Sequence, residues 1–194
     1  MSEKYLFIKQ SPEAYVMFLP PDMVGLKNFR NELCKSLIEN NFNDNDIIKI
    51  ELAADEALTN SIAANVNNQS EECIICRWRI KKKKFVLYIL DYGKGFGKNK
   101  ENLQKTKNVE NEKKDLNQYI ESINKHQLNV HNFLPFEGIK KLHKNLGKGL
   151  KIIQSLMDTV KITYHSNDDI SDEIEEDKIE GSILQIHFDS DKSG

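Results

Sequence analysis

Phe85-Val-Leu-Tyr-Ile-Leu-Asp91-Tyr-Gly93-Lys-Gly95-Phe-Gly97 decides how the chain is read. A strand that is apolar throughout belongs in the middle of a sheet. This one runs straight into a carboxylate and three glycines, where the backbone can turn sharply. Upstream, Cys73 to Ile80 reads as a second strand, and Lys81-Lys82-Lys83-Lys84 joins the two as a solvated hairpin tip. Four lysines at a turn are easily hydrated, so the run is read as a turn and not as a nucleic-acid patch. Cys73-x-x-Cys76 has metal-site spacing, but residues three apart on a strand point to opposite faces. No second Cys or His pair lies near in sequence, which argues against a metal or redox role.

Two helices precede the hairpin. Tyr15 to Leu19 is a short apolar strand ended by Pro20-Pro21, and Asp22 is placed to cap a helix. That helix runs through Leu26, Phe29, Leu33, Leu37 and Ile38, and Asn40-Asn41 closes it. Asn43-Asp44-Asn45-Asp46 opens a longer helix to about Val66. Its apolar residues Ile47, Ile50, Leu52, Ala54, Leu58 and Ile62 cover more than one face, so it packs against a sheet. Glu51 and Asp55 read as ordinary solvent carboxylates on it.

Beyond the glycines, Lys98 to Leu146 is rich in Lys, Asn, Glu and Gln, with ten basic and six acidic residues. It reads as mostly loop, with a short amphipathic helix at Leu116, Tyr119, Ile120 and Ile123 and an apolar patch at Phe133-Leu-Pro-Phe136. His126, His131 and His143 lie in it without metal-ligand spacing. Gly147-Lys148-Gly149 then starts a third helix, Leu150 to Met157, with Ile153 and Leu156 inward, followed by strand Thr159 to Tyr164. Asn167 to Glu180 holds eight acidic residues and one lysine and reads as an exposed, mobile connection. Gly181-Ser182 begins the last strand, Ile183 to Phe188, and the polar tail after Asp189 reads as frayed. The expected architecture is α+β: a two-layer helix-on-sheet sandwich with a mixed, mostly antiparallel sheet. Residues 1–194 are read as one domain, with a long insertion at 98–146 and an acidic loop at 167–180.

Composition bounds the function. The 194 residues are 39% hydrophobic and 30% charged, the balance of a soluble globular chain. With 28 basic against 30 acidic residues the net charge is -2, which argues against whole-chain binding to nucleic acid or an anionic membrane. Tyr5 to Ile8 is too short an apolar run for a secretory leader, and none approaches a membrane span. The chain is therefore expected in the cytoplasm, and three cysteines, an odd number, agree.

Three elements carry chemistry. Glu56 and Asn60, four apart on the long helix, share one face roughly 6 Å apart at Cβ. A carboxylate there can take a proton, and an amide oxygen suits Mg²⁺. Ala53, Ala57 and Ala63 let another group approach that helix closely. Asp91, ending the central strand, can accept a hydrogen bond from an exocyclic amine such as that of adenine. Gly93, Gly95 and Gly97 let the backbone come close to a flat ring or phosphates. Gly147-Lys148-Gly149 places free N–H groups and a charge at a helix start, an anion site whose spacing matches neither the Walker A loop nor the Rossmann fingerprint. Taken singly, each also has a plain structural account: a solvated helix face, a capped turn, a glycine-rich helix start.

The ordered set Glu56-x-x-x-Asn60, Asp91-x-Gly93-x-Gly95-Phe96, Gly147-x-Gly149-Leu150 and Gly181-Ser182 resembles the GHKL ATPase superfamily, with its Bergerat nucleotide-binding fold. Within it, Ala53-Ala-Asp-Glu-Ala-Leu-Thr-Asn60 and Gly147-Lys-Gly-Leu-Lys-Ile-Ile-Gln-Ser-Leu-Met-Asp158-Thr-Val160 are most similar to the bacterial anti-sigma-factor serine kinases. The resemblance spans about residues 12 to 97 and 146 to 188. It implies ATP and Mg as cofactors. Glu56 would be the general base toward a protein serine hydroxyl, and Asn60 would coordinate Mg²⁺. Asp91 would bond the adenine amine, with Gly93, Gly95, Phe96 and Gly97 shaping the pocket and the hinge of an ATP lid. Gly147, Lys148, Gly149 and Leu150 would meet the phosphates, and Ser182 would take the place of a Thr in the network around adenine. The implied partners are a sigma factor and a small anti-anti-sigma (STAS-type) protein bearing the serine, with the kinase a homodimer. The family often has a basic residue or His four after the Asn, where this chain has Ala64, and its lid is usually much shorter than the 49 residues here. Two functions follow as expectations: serine phosphorylation of a partner-switching protein, or an ATP/ADP-binding module that sequesters a partner without turnover. A sensor histidine kinase fits poorly, since no dimerisation helix with a phospho-acceptor His precedes the domain in these residues.

Overall fold

A computed structural model describes residues 5–94, 149–166, 169–172 and 176–192. Asp22 caps the first helix, α1 (Met23–Glu39), its Oδ1 accepting from the Val24 and Gly25 N–H groups at 3.0 and 3.1 Å. Asn43 caps α2 (Asp44–Asn67) in the same way through Asp46, whose own carboxylate adds to Asp44 at the positive end of the helix dipole. Both helices end in a left-handed residue, Asn41 at φ 60° and Gln69 at φ 54°. In each, the N–H groups of that residue and of the next fold back onto the last turn: Asn41 to Ile38 and Phe42 to Leu37 in one, Gln69 to Val66 and Ser70 to Asn65 in the other. The third helix, α3 (Gly149–Leu156), buries Ile153 and Leu156 as its spacing requires.

Among the described residues, seven strands form one sheet. They are β1 (Leu6–Ser11), β2 (Ala14–Leu19), β3 (Ile74–Lys81), β4 (Lys84–Asp91), β5 (Thr159–Ser166), β6 (Asp169–Ser171) and β7 (Gly181–Asp189). Their spatial order is β1-β2-β3-β4-β7-β5-β6, so β4 is the middle strand, as its composition implies. The α+β sandwich is as expected. Every pairing among the described residues is antiparallel, so the parallel component allowed for by a mixed sheet is not found there. The hairpin tip narrows to Lys82-Lys83, both at positive φ (49° and 64°), with Lys81 pairing Lys84. That is the geometry of a two-residue hairpin turn whose twist matches its strands.

Three expectations change. Leu6–Ser11, weighed only as a leader, is an edge strand paired with β2. Within 167–180, Asp169–Ser171 pairs with β5 and Glu176–Lys178 makes a turn of 3₁₀ helix, so the acidic segment widens the sheet. Ser190–Lys192 likewise winds into 3₁₀ helix beyond β7.

One face of the sheet and the three described α-helices enclose the core. Alternation turns Ile74, Cys76, Trp78 and Ile80 of β3, and Phe85, Leu87 and Ile89 of β4, toward the helices, while Arg77 and Arg79 point away. Cys76 is buried and Cys73, just before β3, is exposed; neither is paired. No described helix is long and apolar enough to cross a membrane. Trp78 anchors the core: Tyr15 and Phe7 stack on it at centroid distances of 5.3 and 5.9 Å, and Phe29 of α1 meets it edge-on at 5.7 Å. Its indole N–H donates to Ser36 Oγ at 2.9 Å, and that hydroxyl donates to the Leu33 carbonyl. Ser36→Ala strands a buried donor, so unfolding by urea is expected to show a loss of about 1–3 kcal/mol.

Candidate functional site

Strand period two decides where Asp91 points. It is in phase with Phe85, Leu87 and Ile89, so its carboxylate faces inward from the end of the central strand, 2% exposed. A buried carboxylate must be satisfied, and this one takes four hydrogen bonds. Oδ2 accepts from the hydroxyls of Ser61 (2.9 Å) on α2 and Ser182 (3.0 Å) on β7. Oδ1 accepts from the N–H groups of Gly93 (3.1 Å) and Ser182 (3.3 Å). Burial raises the Asp91 pKa, and these donors pull it back in part.

The backbone around it is equally constrained. A Cβ on Gly181 would lie 1.9 Å from the Asp91 carbonyl oxygen and 2.2 Å from His165 Nε2, so only glycine fits there. His165 Nε2 sits 2.9 Å from that same oxygen. A carbonyl only accepts, which makes Nε2 the protonated nitrogen. A Cβ on Gly93 would fall 2.4 Å from the Ala64 methyl, so the loop lies directly on α2 at that residue. Beside it a polar hollow of about 430 Å³ is lined by Ala64, Asn67, Asn68, Gln69 and Lys94.

Glu56 and Asn60 meet the start of α3. A Cβ added to Gly149 would come 2.7 Å from Glu56 Oε2 and 3.3 Å from Asn60 Nδ2. The helix start thus lies against both polar side chains, which are half-buried. The structure therefore gathers Glu56, Asn60 and Gly149 at one end of a polar seam, and Asp91, Gly93 and Ser182 at the other. Ser61, next to Asn60, links the two ends: one residue further along the helix turns the side chain by about 100°, toward the sheet. Leu150 packs against the hydrophobic core. Gly95, Phe96, Gly97, Gly147 and Lys148 lie outside the described residues, as do the histidines and the helix read within 98–146.

Glu51 and Asp55 are not solvent carboxylates. They are 2% and 6% exposed and turn toward α1, where Arg30 Nε stands 2.9 Å from Asp55 Oδ2 and 3.3 Å from Glu51 Oε1. Arg30 Nη2 also bonds Asp55 Oδ2. One guanidinium faces two acids, so burial pushes the Asp55 carboxyl up to about 7 against the pull of Arg30, with Glu51 and Glu56 adding to the rise. Ser61, Asn65, Asn68 and His165 also escape the sequence reading, although each bonds the Asp91–Gly93 segment.

A raised carboxyl pKa means the folded state holds a proton that the unfolded chain has already released. Stability is then fully present below the unfolded value and falls as pH rises toward the folded one. Urea unfolding of the free protein is expected to show this loss between about pH 4 and pH 7. Asp55→Asn is expected to flatten much of that slope, Asp91 contributing the remainder with the same sign.

No curated protein matches the chain. Residues 19–170, most of its length, match the family described as the histidine kinase-like ATPase domain. That span contains Glu56, Asn60, Asp91, Gly93 and Gly149, and the helix-on-sheet architecture agrees with it. The chain belongs to the histidine kinase-like ATPase family, within the GHKL superfamily, whose domain points to ATP binding.

Proposed function

We propose that the chain is a serine protein kinase of the anti-sigma-factor type. It binds Mg-ATP in the cytoplasm, phosphorylates a serine on a small anti-anti-sigma (STAS-type) partner, and controls a sigma factor by partner switching, working as a homodimer. The observation that carries this reading is the polar seam along α2, with Glu56 and Asn60 against Gly149 and Ser61 against the buried Asp91.

The donor set fits both groups. A carboxylate at the floor of the sheet, held by two rotatable hydroxyls, suits the exocyclic amine of adenine. The Ser61 and Ser182 hydroxyls, each donating its proton to Asp91, keep lone pairs that can accept from a water beside the ring. The Asn60 amide oxygen beside the Glu56 carboxylate suits Mg²⁺, which prefers a few oxygen ligands and keeps its waters. Bound Mg-ATP supplies the γ-phosphoryl group. The chain's own residues would do the rest: Asp91 and Ser182 would fix the base, Gly149 would keep the start of α3 close to Asn60, and Glu56 would accept the proton of the partner's serine hydroxyl, whose oxygen would bond to the γ-phosphorus as the bond to the bridging oxygen breaks and ADP leaves. Gly95, Phe96, Gly97, Gly147, Lys148 and Leu150 are assigned to the lid hinge and phosphate contacts on the family pattern.

Ala64 favours a second reading, an ATP/ADP-binding module that sequesters its partner without turnover. Where relatives often carry a basic side chain or His, this chain offers a methyl group packed on Gly93.

Saturating Mg-ATP is expected to add about 2–4 kcal/mol of stability, a rise of about 5–10 °C in Tm. Asp91→Asn is expected to remove the shift; a parent protein with no shift overturns both readings. With γ-labelled ATP and a STAS-type partner, Glu56→Ala is expected to lower label transfer by about 10²–10⁴-fold and leave the nucleotide Kd unchanged. Transfer retained in that variant removes Glu56 as the base. Transfer absent from the parent, with binding intact, selects the second reading.

A further inference from the structure

We infer that Asn65 and Asn68 are positioning residues for the nucleotide: two side-chain amides at the end of α2 hold the backbone of Tyr92, and through it the Gly93 N–H that orients Asp91. The inference deepens, and rests on, the ATP-binding reading above. Neither residue is assigned any role by the motifs of the seam.

β4 runs out of partners just where the site begins. Its last pairs are Leu90 with Ile75 of β3 and Asp91 with Ser182 of β7. At Tyr92 both backbone groups leave the ladder, and side chains take them up instead. Asn65 Oδ1 accepts from the Tyr92 N–H at 2.7 Å, and Asn68 Nδ2 donates to the Tyr92 carbonyl at 2.7 Å. A spacing of three puts both amides on one side of the last helical turn. That turn is itself locked by the left-handed residue Gln69 and the Ser70 N–H bond to the Asn65 carbonyl.

Asn65 is fully buried, and its Nδ2 donates to the Glu72 carbonyl at 3.0 Å. One amide therefore ties together α2, the segment leading into β3 and the exit from β4. The next residue, Gly93, has room only because it lacks a side chain over Ala64, and from there its N–H reaches Asp91 Oδ1. On the far side His165 bonds the Asp91 carbonyl and meets the Tyr92 ring edge-on at 5.2 Å. Of the four donors on the Asp91 carboxylate, the serine groups come from α2 and β7. Only the Gly93 N–H depends on the two asparagines. Loosening the half-buried Asn68 lets the carboxylate turn without opening a cavity among the apolar residues of the core.

The test uses the full chain and titrates ADP with Mg²⁺ by calorimetry. Asn68→Ala removes one half of the clamp at a half-buried position. Ile80→Val, at the opposite end of the sheet, removes a buried methyl and serves as the control for general loss of stability. Asn68→Ala is expected to weaken ADP binding about 3- to 10-fold, the effect of one hydrogen bond. Its Tm without nucleotide is expected to drop no more than that of Ile80→Val, whose Kd stays at the parent value. Asn68→Ala with parental affinity overturns the inference, as does an equal loss of affinity in Ile80→Val. Amide hydrogen exchange at Tyr92 separates this result from failure of the ATP reading. If the parent binds no nucleotide, that reading falls, and the clamp is judged by exchange alone. Asn65→Ser is then expected to speed Tyr92 exchange at least about tenfold over the parent, and unchanged exchange overturns the clamp as well.

Discussion

A carboxylate on the buried face of the central strand is the constraint on which this molecule turns. Charge in a low-dielectric interior is tolerated only when donors surround it, and Asp91 draws its donors from three separate places in the chain. Ser61 has to lie over the end of β4, which sets how far along the sheet α2 can sit. Ser182 has to face Asp91 across the ladder, which fixes the register of β4 with β7. Gly181 then follows, because the register brings a carbonyl and an imidazole into the space a Cβ would need. A slip by one residue would turn the carboxylate out of the interior and the apolar residues of β4 with it.

The long helix α2 does different work on each of its sides, which explains its weak amphipathicity. Toward α1 it presents Glu51 and Asp55 to Arg30; toward α3, Glu56 and Asn60; toward the sheet, Ser61 among buried apolar neighbours. Ala53, Ala54 and Ala57 are completely buried and keep the packing distance short on the remaining surface. Several of its polar groups thus enter the interior where another element brings a partner, Arg30 for Glu51 and Asp55 and Asp91 for Ser61. The Arg30 cluster is a buried charge arrangement with two acids on one base, so it contributes little net stability while fixing how α1 lies on α2.

Local signals were legible wherever a side chain acts on its own neighbourhood. The cap at Asp22, the helix opening at Asn43–Asp46, the stop at Asn40-Asn41 and the strand over Cys73–Ile80 all act within a few residues, and the structure places each within one or two positions of its reading. Long-range partnerships were not. Nothing in the helix pattern of α2 reveals that Arg30, 25 residues earlier, waits for Asp55. Asn65 and Asn68 look like the polar end of a helix until the exit of β4 is placed against them. β1 and β6 carry little strand signal for a related reason: edge strands bury little, so exposed Leu6 and Ile8 in one and an acidic setting in the other conceal the strand period. In the seam, the spacing of Glu56 and Asn60 and the glycine at 149 are weak signals singly, and only the family resemblance puts them in one site. The serine at 61 was invisible because its target lies on another element.

The two borders of the sheet have a consequence for the protein's behaviour among its own copies. An antiparallel sheet that does not close leaves unpaired N–H and carbonyl groups at its margins, which invite strand addition by other chains and lead toward aggregates. At one margin of the described sheet β6 spans three residues, Asp169–Ser171, inside a strongly acidic stretch where like charge repels an incoming copy. At the other, the register between Lys9 and Ser11 is broken by an irregularity, and Lys9 is tethered to Glu39 across the helix side. Among the described residues, one border is short and strongly charged and the other is irregular, and both features disfavour the addition of strands from further copies.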